Sequence, residues 1–210
     1  MGLRSWYDAH VVPRMIRSLC GSQVIMDRRA EVVPLAAGRV FEIGCGGGLN
    51  QRFYDPARVT AFAGIDPGPK LLDYARAEAS RNGWQADIRA GVGEDIPFAD
   101  ASFDTAVCTF TLCSVSDPAR VLSELRRILV RGGRLLFLEH GRSPDAGVAK
   151  WQERIEPLWK PIAGGCHLTR PIGAAIAQAG FKIDPIGASY APAMPRIAAW
   201  MEWGVATAPG

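Results

Sequence analysis

Short apolar runs and helical patterns of apolar residues alternate along most of this 210-residue chain. Five apolar runs have the length of buried strands: residues 39–43, 59–65, 86–90, 105–110 and 134–138. Residues 69–82 and 118–129 instead place their apolar side chains at helical spacing. Strands that alternate with helices in this way predict an α/β fold, with a mostly parallel, doubly wound sheet and helices on both faces.

Capping residues mark where two of the helices begin or end. Ser22 is the predicted N-cap of a helix over residues 22–36, so residues 1–37 are predicted to form an N-terminal helical cap. The helix over residues 118–129 is predicted to stop at Gly132-Gly133, because glycine readily adopts the left-handed conformation of a C-cap.

The end of the chain adds a helix and two strands to the pattern. Thr169 is a suitable N-cap for a helix over residues 171–179, and residues 181–187 predict a sixth strand. Residues 197–206 predict either a seventh strand, antiparallel to the others, or a short helix. The complete prediction is therefore a seven-stranded sheet.

One segment interrupts the alternation. Residues 141–170 contain three prolines, the pair Gly164-Gly165 and two tryptophans, with few strand signals. We predict that this segment is a small lid insertion within a main domain of residues 38–210.

The strongest chemical signal is a glycine turn after the first apolar run. Glu42, Gly44, Gly46 and Gly48 occupy every second position there, and glycine allows positive φ and a close approach of the backbone to a ligand. A helix N-terminus after the turn would also offer free N–H groups to an anion. The spacing excludes a dinucleotide fingerprint and a P-loop, since Leu49 stands where a third glycine is required and no Lys-Ser or Lys-Thr follows. The alternative is a tight turn whose glycines serve packing alone.

Asp66 supports the ligand interpretation. It ends the second apolar run, 18 residues after Gly48, where a carboxylate can accept hydrogen bonds from both ribose hydroxyls. The alternative role is an N-cap for the helix that begins near residue 69.

Together with the glycine turn and Asp66, three further runs resemble class I S-adenosylmethionine-dependent methyltransferases. They are residues 93–98, residues 102–104, and residues 125–129 with the following glycine pair. The likeness covers about residues 38–140. It implies a Rossmann-like sheet, S-adenosylmethionine as cofactor, and transfer of a methyl group to a small acceptor.

A narrower likeness extends into the predicted lid. The runs that carry it are residues 108–115, 138–140, 151–152, 157–159 and 165–170, which resemble the methyltransferase-like seven group. That group is regarded as thiol S-methyltransferases, and its vertebrate members are membrane-anchored. This sequence lacks their apolar N-terminal anchor, so it resembles a soluble bacterial-type relative, which we expect to be cytoplasmic.

The resemblance assigns ten residues to the cofactor: Glu42, Gly44, Cys45, Gly46, Asp66, Pro67, Gly93, Glu94, Thr109 and Phe110. The first four and the last two would surround the methionine moiety, Asp66 the ribose, and the remaining three the adenine. Val92 stands where many relatives carry an acidic residue, so Glu94 or the backbone alone would read the adenine amino group. Phe110 could equally be a core residue.

His140 is the candidate catalytic residue. It follows the fifth apolar run, at the edge of the sheet where such folds bind substrates, and its ordinary pKa suits a general base. The alternative is a histidine that only orients the lid. The remaining acceptor candidates are Tyr7, Trp151, His167 and Arg170. The competing explanation for Tyr7 and Trp151 is packing of aromatic side chains between the lid and the domain, and that for Arg170 is a salt bridge to the lid.

Composition excludes several other classes of function. The net charge is +3 with no run of five like charges, so nucleic acid and anionic membranes are not expected partners. The five cysteines form no CxxC motif and only three histidines occur, so we expect no metal site and a reducing compartment. No apolar run reaches about 18 residues, the length of a membrane span.

Three hypotheses remain open at this point. The first is methyl transfer to a thiol or a related soft nucleophile. The second keeps the enzyme class but moves the acceptor to a quinone ring carbon or a phospholipid amine. The third is a cofactor-binding module without catalysis, with a nicotinamide dehydrogenase as a distant fourth. The sequence leaves the oligomeric state open.

Overall fold

The computed structural model describes residues 11–210. Within them, seven strands form one sheet: β1 Gly38–Ile43, β2 Val59–Asp66, β3 Ala86–Ala90, β4 Phe103–Thr109, β5 Leu129–His140, β6 Lys182–Tyr190 and β7 Trp200–Thr207. The spatial order is β3-β2-β1-β4-β5-β7-β6. The strands β1 to β5 pair in parallel, and β7 runs antiparallel to both of its neighbours. The predicted α/β fold with a mostly parallel seven-stranded sheet is confirmed.

Seven α-helices lie in the described part of the chain: α1 Val12–Cys20, α2 Gln23–Val32, α3 Pro69–Arg81, α4 Pro118–Ile128, α5 Ala146–Trp159, α6 Ile172–Gln178 and α7 Arg196–Ala199. Two short 3₁₀ helices, Val33–Leu35 and Gln51–Phe53, complete the regular structure. Residues 197–206 therefore contain both predicted alternatives, because the last turn of α7 leads directly into β7.

The central strands of the sheet are buried on both faces, because successive residues point to opposite sides and helices cover each side. Phe41 of β1 and Phe137 of β5 belong to a core that includes α4 and α6. Their neighbours Val40 and Leu136 belong to a second core that includes α2 and α3. This arrangement explains why the strands are continuous apolar runs rather than alternating ones.

Three local predictions about helix ends are wrong. The helix α4 ends at Ile128, and Gly132, with a φ of +70°, instead lies in β5 next to a register shift between β4 and β5. The glycine turn leads into the 3₁₀ helix Gln51–Phe53 rather than into an α-helix. Thr169 does not cap α6, whose N-cap is Pro171, because its hydroxyl donates to Glu156 instead.

The predicted lid segment, residues 141–170, is built around α5. The buried side chain of Gln152 anchors this helix by donating to the carbonyls of Gly141 and Ile197, at 3.1 and 3.0 Å. Its own carbonyl oxygen accepts from the Ser143 N–H at 2.9 Å. In residues 11–210, no helix combines the length and the apolar character needed to cross a bilayer.

Candidate cofactor and acceptor site

A cavity of about 330 Å³ opens at the carboxyl ends of β1, β2 and β4. Ile43, Asp66 and Thr109, which end these three strands, all line it. The N-terminal helices contribute Arg29, and the segment after α5 contributes Gly164. Parallel strands place their carboxyl ends at one edge of the sheet, so residues far apart in sequence meet there.

The glycine turn forms one wall of this cavity, and its glycines serve different needs. Gly44 has a φ of +62°, and a Cβ atom there would overlap the side chain of Thr111. Gly46 has a φ of +44°, but a Cβ atom there would approach no described atom closer than 3.5 Å. Packing alone therefore explains Gly44, whereas the space beside Gly46 is available to a ligand.

Asp66 closes the turn from the neighbouring strand. Its Oδ2 accepts from the Gly46 N–H at 3.0 Å and its Oδ1 accepts from the Gly68 N–H at 2.8 Å. Burial raises the pKa of this carboxyl. The N-cap of α3 is Gly68, so Asp66 does not serve as that cap. Each carboxylate oxygen keeps acceptor capacity beyond its one backbone bond, and the residue lines the cavity.

Glu42 lies beneath the turn and is only 2% exposed. Its two oxygens accept from Asn50 Nδ2 at 2.9 Å and from the Tyr54 hydroxyl at 2.8 Å. Burial raises the pKa of Glu42 to about 7, against the opposing effect of these hydrogen bonds. Each oxygen of Glu42 therefore already accepts one hydrogen bond from the protein.

Arg29 is a buried cation that the sequence did not single out. Its Nη1 donates to Asn50 Oδ1 at 2.6 Å and to Thr109 Oγ1 at 2.7 Å. Its guanidinium lies 5.5 Å from the ring centre of Phe110. The Arg29 Nε is buried without a hydrogen-bond partner among the described residues. Because α2 carries this arginine to the sheet edge from a distant part of the sequence, no local pattern announces it.

Phe110 takes a strained conformation at the end of β4. Its φ is +53°, which costs a non-glycine residue about 1–3 kcal/mol, and its N–H donates to the Leu138 carbonyl at 2.9 Å. The half-buried ring packs on the edge of the core and also lines the cavity. Phe110 is therefore part of the edge of the core, and its contact with the cofactor stays a prediction.

Glu139 holds the loop that follows Phe110. It is completely buried and accepts from the N–H groups of Thr111, Leu112 and Cys113 at 2.7, 3.0 and 3.2 Å. The sequence carries a signal for this role, because Glu139 is a carboxylate at the end of an apolar strand, where a buried charge needs several hydrogen-bond partners.

The adenine candidates lie on the opposite side of the cavity. Pro67, Gly93 and Glu94 all line it, together with the exposed side chain of Val92. The Glu94 Oε1 accepts from the N–H groups of Ser116 and the next residue, at 2.8 and 3.1 Å. Glu94 therefore shapes the adenine loop and keeps only its second oxygen for a ligand. Cys45 is buried and also lines the cavity, and burial raises its pKa well above the ordinary range.

His140 lies beside the lid segment. Its Nε2 is 2.9 Å from Cys166 Sγ, and its Nδ1 is buried without a partner among the described residues. Burial lowers the pKa of His140, but the charge of Cys166 and the hydrogen bond to it outweigh burial, so the pKa is raised. His140 is not among the described residues that line the cavity.

The other acceptor candidates that the structure describes lie on the lid segment, outside the cavity lining. His167 Nδ1 pairs with Glu156 at 2.9 Å inside the lid segment, and the His167 N–H donates to the Cys113 carbonyl at 2.8 Å. Arg170 donates to the carbonyls of Leu112 and Val115 and so fastens the lid to the loop after β4. Trp151 is 55% exposed on α5 and does not reach the cavity. Tyr7 lies outside the described residues.

A family model described as a methyltransferase domain matches residues 41–137. A ubiquinone biosynthesis O-methyltransferase of Xylella fastidiosa is 35% identical over 89% of this chain and 78% of its own length. The chain belongs to the class I S-adenosylmethionine-dependent methyltransferases.

One further relative is more similar to this chain in sequence, and one solved structure shares its fold. Thiol S-methyltransferase TMT1B of Homo sapiens is 43% identical over 70% of this chain and 62% of its own length. The chain spans about three fifths of the length of the thiol S-methyltransferases that it matches. A solved S-adenosylmethionine-dependent methyltransferase from Thermotoga maritima, described as a possible histamine N-methyltransferase, superposes with a TM-score of 0.67 at 21% identity. That superposition covers 98% of this chain and 99% of the other.

The residues around the cavity fit the cofactor of this methyltransferase family. The open space beside Gly46 leaves room for the methionine moiety of the cofactor. The unpartnered Nε of buried Arg29 suits the carboxylate of that moiety. The free acceptor capacity of Asp66 suits the ribose hydroxyls. The fit rests on three independent features of one cavity.

Proposed function

We propose that this protein transfers the methyl group of S-adenosylmethionine to the sulfur of a small thiol. The observation that carries the proposal is the Asp66 carboxylate, held by the Gly46 N–H in the wall of a cavity of cofactor size. The 43% identity with proteins named thiol S-methyltransferases supports a thiol as the acceptor.

In this proposal the ten candidate residues divide by what they contact. Gly44, Cys45 and Gly46 present backbone to the methionine moiety, with Glu42 beneath them. Thr109, Phe110 and Arg29 surround its far end, where Arg29 binds the carboxylate. The ribose rests on Asp66, and the adenine lies between Pro67 and the loop of Gly93 and Glu94.

Little acid–base chemistry is required of the protein. When bound, the cofactor supplies a methyl group already activated by its sulfonium. The protein contributes position, and holding the acceptor in line can supply several kcal/mol. A free thiol with a pKa of about 8.5 is already a few per cent thiolate at neutral pH, so its proton can leave to water before attack.

We propose that His140 orients the lid rather than acting as a general base. The 2.9 Å contact between His140 Nε2 and Cys166 Sγ supports this role, since it uses one ring nitrogen, and the other is buried. His167 and Arg170 act in the same way on the loop after β4. The acceptor then enters beside Gly164 of the lid segment and Ser114 of the loop after β4, which both line the cavity. Trp151 takes no part in the proposal.

We also propose the division into a cap, residues 1–37, and a main domain, residues 38–210, with a lid at 141–170. Arg17, Cys20 and Arg29 of the cap all line the cavity, which supports a role for the cap in binding. Five free cysteines support a reducing, cytoplasmic location. The small net charge of +3 supports a small-molecule partner rather than nucleic acid.

Calorimetry followed by an acceptor panel tests this function. The protein should bind S-adenosylmethionine and not NAD, and should release S-adenosylhomocysteine faster with small thiols than with phenols or primary amines. Preference for a phenol would favour a quinone-type acceptor, as the Xylella fastidiosa relative suggests. Binding without release for any acceptor would make the protein a cofactor-binding module.

A further inference from the structure

Three polar side chains meet outside the cavity, between the lid segment and the end of β5. Cys166 Sγ lies 3.2 Å from Cys113 Sγ and 2.9 Å from His140 Nε2. The three atoms lie within 4.8 Å of one another. The cofactor site proposed above does not use either cysteine.

The backbone holds the two cysteines side by side. The His167 N–H, next to Cys166, donates to the Cys113 carbonyl at 2.8 Å. Arg170 donates to the carbonyls of Leu112 and Val115, on either side of Cys113. The backbone therefore holds the two residues next to each other, and their side chains place the sulfurs 3.2 Å apart.

The spacing fits a dithiol better than a metal site. Two thiolates held about 2.3 Å from a tetrahedral zinc lie about 3.8 Å apart. The observed distance between the two sulfurs is 3.2 Å, and that between sulfur and nitrogen is 2.9 Å, both in the range of hydrogen bonds. The two cysteines are also unequally accessible, because Cys113 is buried and Cys166 is half-buried.

We propose that Cys166 and Cys113 form a reactive dithiol that reduces small-molecule disulfides, with Cys166 as the attacking thiolate and Cys113 as the resolving thiol. The reaction needs no cofactor, so it does not rest on methyl transfer.

Each step of the exchange is balanced. The Cys166 thiolate forms a bond to one sulfur of the disulfide RSSR, the S–S bond breaks, and the leaving RS⁻ takes the proton from the His140 imidazolium. Cys113 then attacks Cys166 Sγ, a second RS⁻ leaves, and it takes the Cys113 proton. The dithiol gives up two electrons and becomes a Cys113–Cys166 disulfide, while RSSR becomes two RSH. An external thiol resets the pair.

The surroundings favour a thiolate on Cys166. The hydrogen bond with Cys113, and then His140 and His167, lower the pKa of Cys166 to about 5 in spite of burial. Arg170 adds positive charge, whereas Glu139, Glu156 and Cys20 are the opposing groups nearby. The other four cysteines all have raised pKa values: Cys20, Cys45, Cys108 and Cys113.

The first test uses the reduced wild-type protein and dithiodipyridine, without S-adenosylmethionine. We expect a fast phase that releases two equivalents of thiopyridone, and a protein lighter by two hydrogens with no adduct. Peptide fragmentation should link Cys166 to Cys113 and not to Cys108. From pH 6 to 8 the fast rate should change less than about threefold, whereas an ordinary thiol gains about 100-fold in ionised fraction.

Matched variants separate the two roles. Cys113→Ser should release one equivalent in the fast phase and keep a stable adduct on Cys166. Cys166→Ser should lose the fast phase. Cys108→Ser, which replaces a cysteine outside both sites and can keep the hydrogen bond to Glu139, should release two equivalents in the fast phase as wild type does. A methyl-transfer assay on the same samples reports separately on the proposed function.

Three results would overturn the dithiol. They are one equivalent of thiopyridone from wild type with a lasting adduct, a disulfide between other cysteines, and a rate that rises about 100-fold from pH 6 to 8. One zinc per chain in the purified protein that blocks the fast phase would also overturn it, by identifying a metal site. The wild-type measurements decide the question even where a variant fails to fold.

Discussion

At the scale of single residues, the site depends on a few buried polar groups that keep unused bonding capacity. Asp66 accepts from the N–H of Gly46 in the glycine turn and from that of Gly68, and Arg29, which also lines the cavity, has a buried Nε without a partner among the described residues. A buried polar group without a partner is expensive, so such capacity is typical of a ligand site.

Replacing Asp66 tests the ribose contact. We expect Asp66→Ala to weaken binding of S-adenosylhomocysteine by about 1.5–3 kcal/mol, the range for hydrogen bonds involving a charged group. Calorimetry measures the loss. Asp73→Ala on the exposed side of α3 is the matched control and should bind as wild type. Equal affinities of both variants would refute the ribose assignment.

Replacing His140 separates a lid orienter from a general base. If it orients the lid, His140→Gln should raise the acceptor KM at every pH and leave cofactor affinity unchanged. A general base would instead lose about 10²–10⁴-fold in kcat, with a defect that shrinks as pH passes the pKa of the acceptor. Steady-state kinetics from pH 6 to 9 with thiols of different pKa distinguish the two outcomes.

At the scale of elements, apolar runs predicted the strands well because both faces of a parallel sheet are buried. The predicted strand over residues 59–65 matches β2 to within one residue. Errors occurred where tertiary contacts overrode local signals. Gly132 looked like a helix C-cap but serves a register shift in β5, and Thr169 looked like an N-cap but bonds Glu156. Neither partner is visible from the local sequence.

The glycine turn offers a paired test of packing against ligand binding. Gly44→Ala should lower the stability of the protein, because its Cβ atom overlaps Thr111 at a φ of +62°. Gly46→Val should also lose stability, because a β-branched residue is strained at a φ of +44°, but the protein that folds should bind S-adenosylmethionine weakly, because the new side chain occupies the space proposed for the ligand. Chemical denaturation and calorimetry check the two effects. Full binding by a folded Gly46→Val protein would mean that the turn does not approach the cofactor.

At the scale of the whole molecule, the sequence predicted the sheet and the place of the cofactor at its edge, but not the network beneath it. Motifs on β1 and β2 located Glu42 and Asp66. Arg29, Tyr54 and Glu139 were missed because each depends on a contact between distant segments. The acceptor candidates Trp151, His167 and Arg170 do not line the cavity, so their contact with an acceptor stays a prediction.

Buried Glu42 should make the stability of the cofactor-free protein depend on pH. Burial raises its pKa from about 4.5 to about 7, so its favourable protonated form is lost as pH rises through that window. Relative to Glu42→Gln, wild type should lose about 2–3 kcal/mol of unfolding free energy between pH 5 and 8. Urea denaturation measures this difference, with exposed Glu153→Gln as the control. If the difference in unfolding free energy between wild type and Glu42→Gln does not change with pH, the raised pKa of Glu42 is contradicted.

The most direct test of the central claim is the identity of the methylated product. The protein is incubated with S-adenosylmethionine carrying a deuterated methyl group and an equimolar mixture of a small aromatic thiol, a phenol and a primary amine, and the products are analysed by mass spectrometry. The account predicts deuterated methyl thioether and S-adenosylhomocysteine in equal amounts, with both strongly reduced in Asp66→Ala. Label on an oxygen or nitrogen acceptor but never on sulfur, or tight cofactor binding with no labelled product, would contradict it.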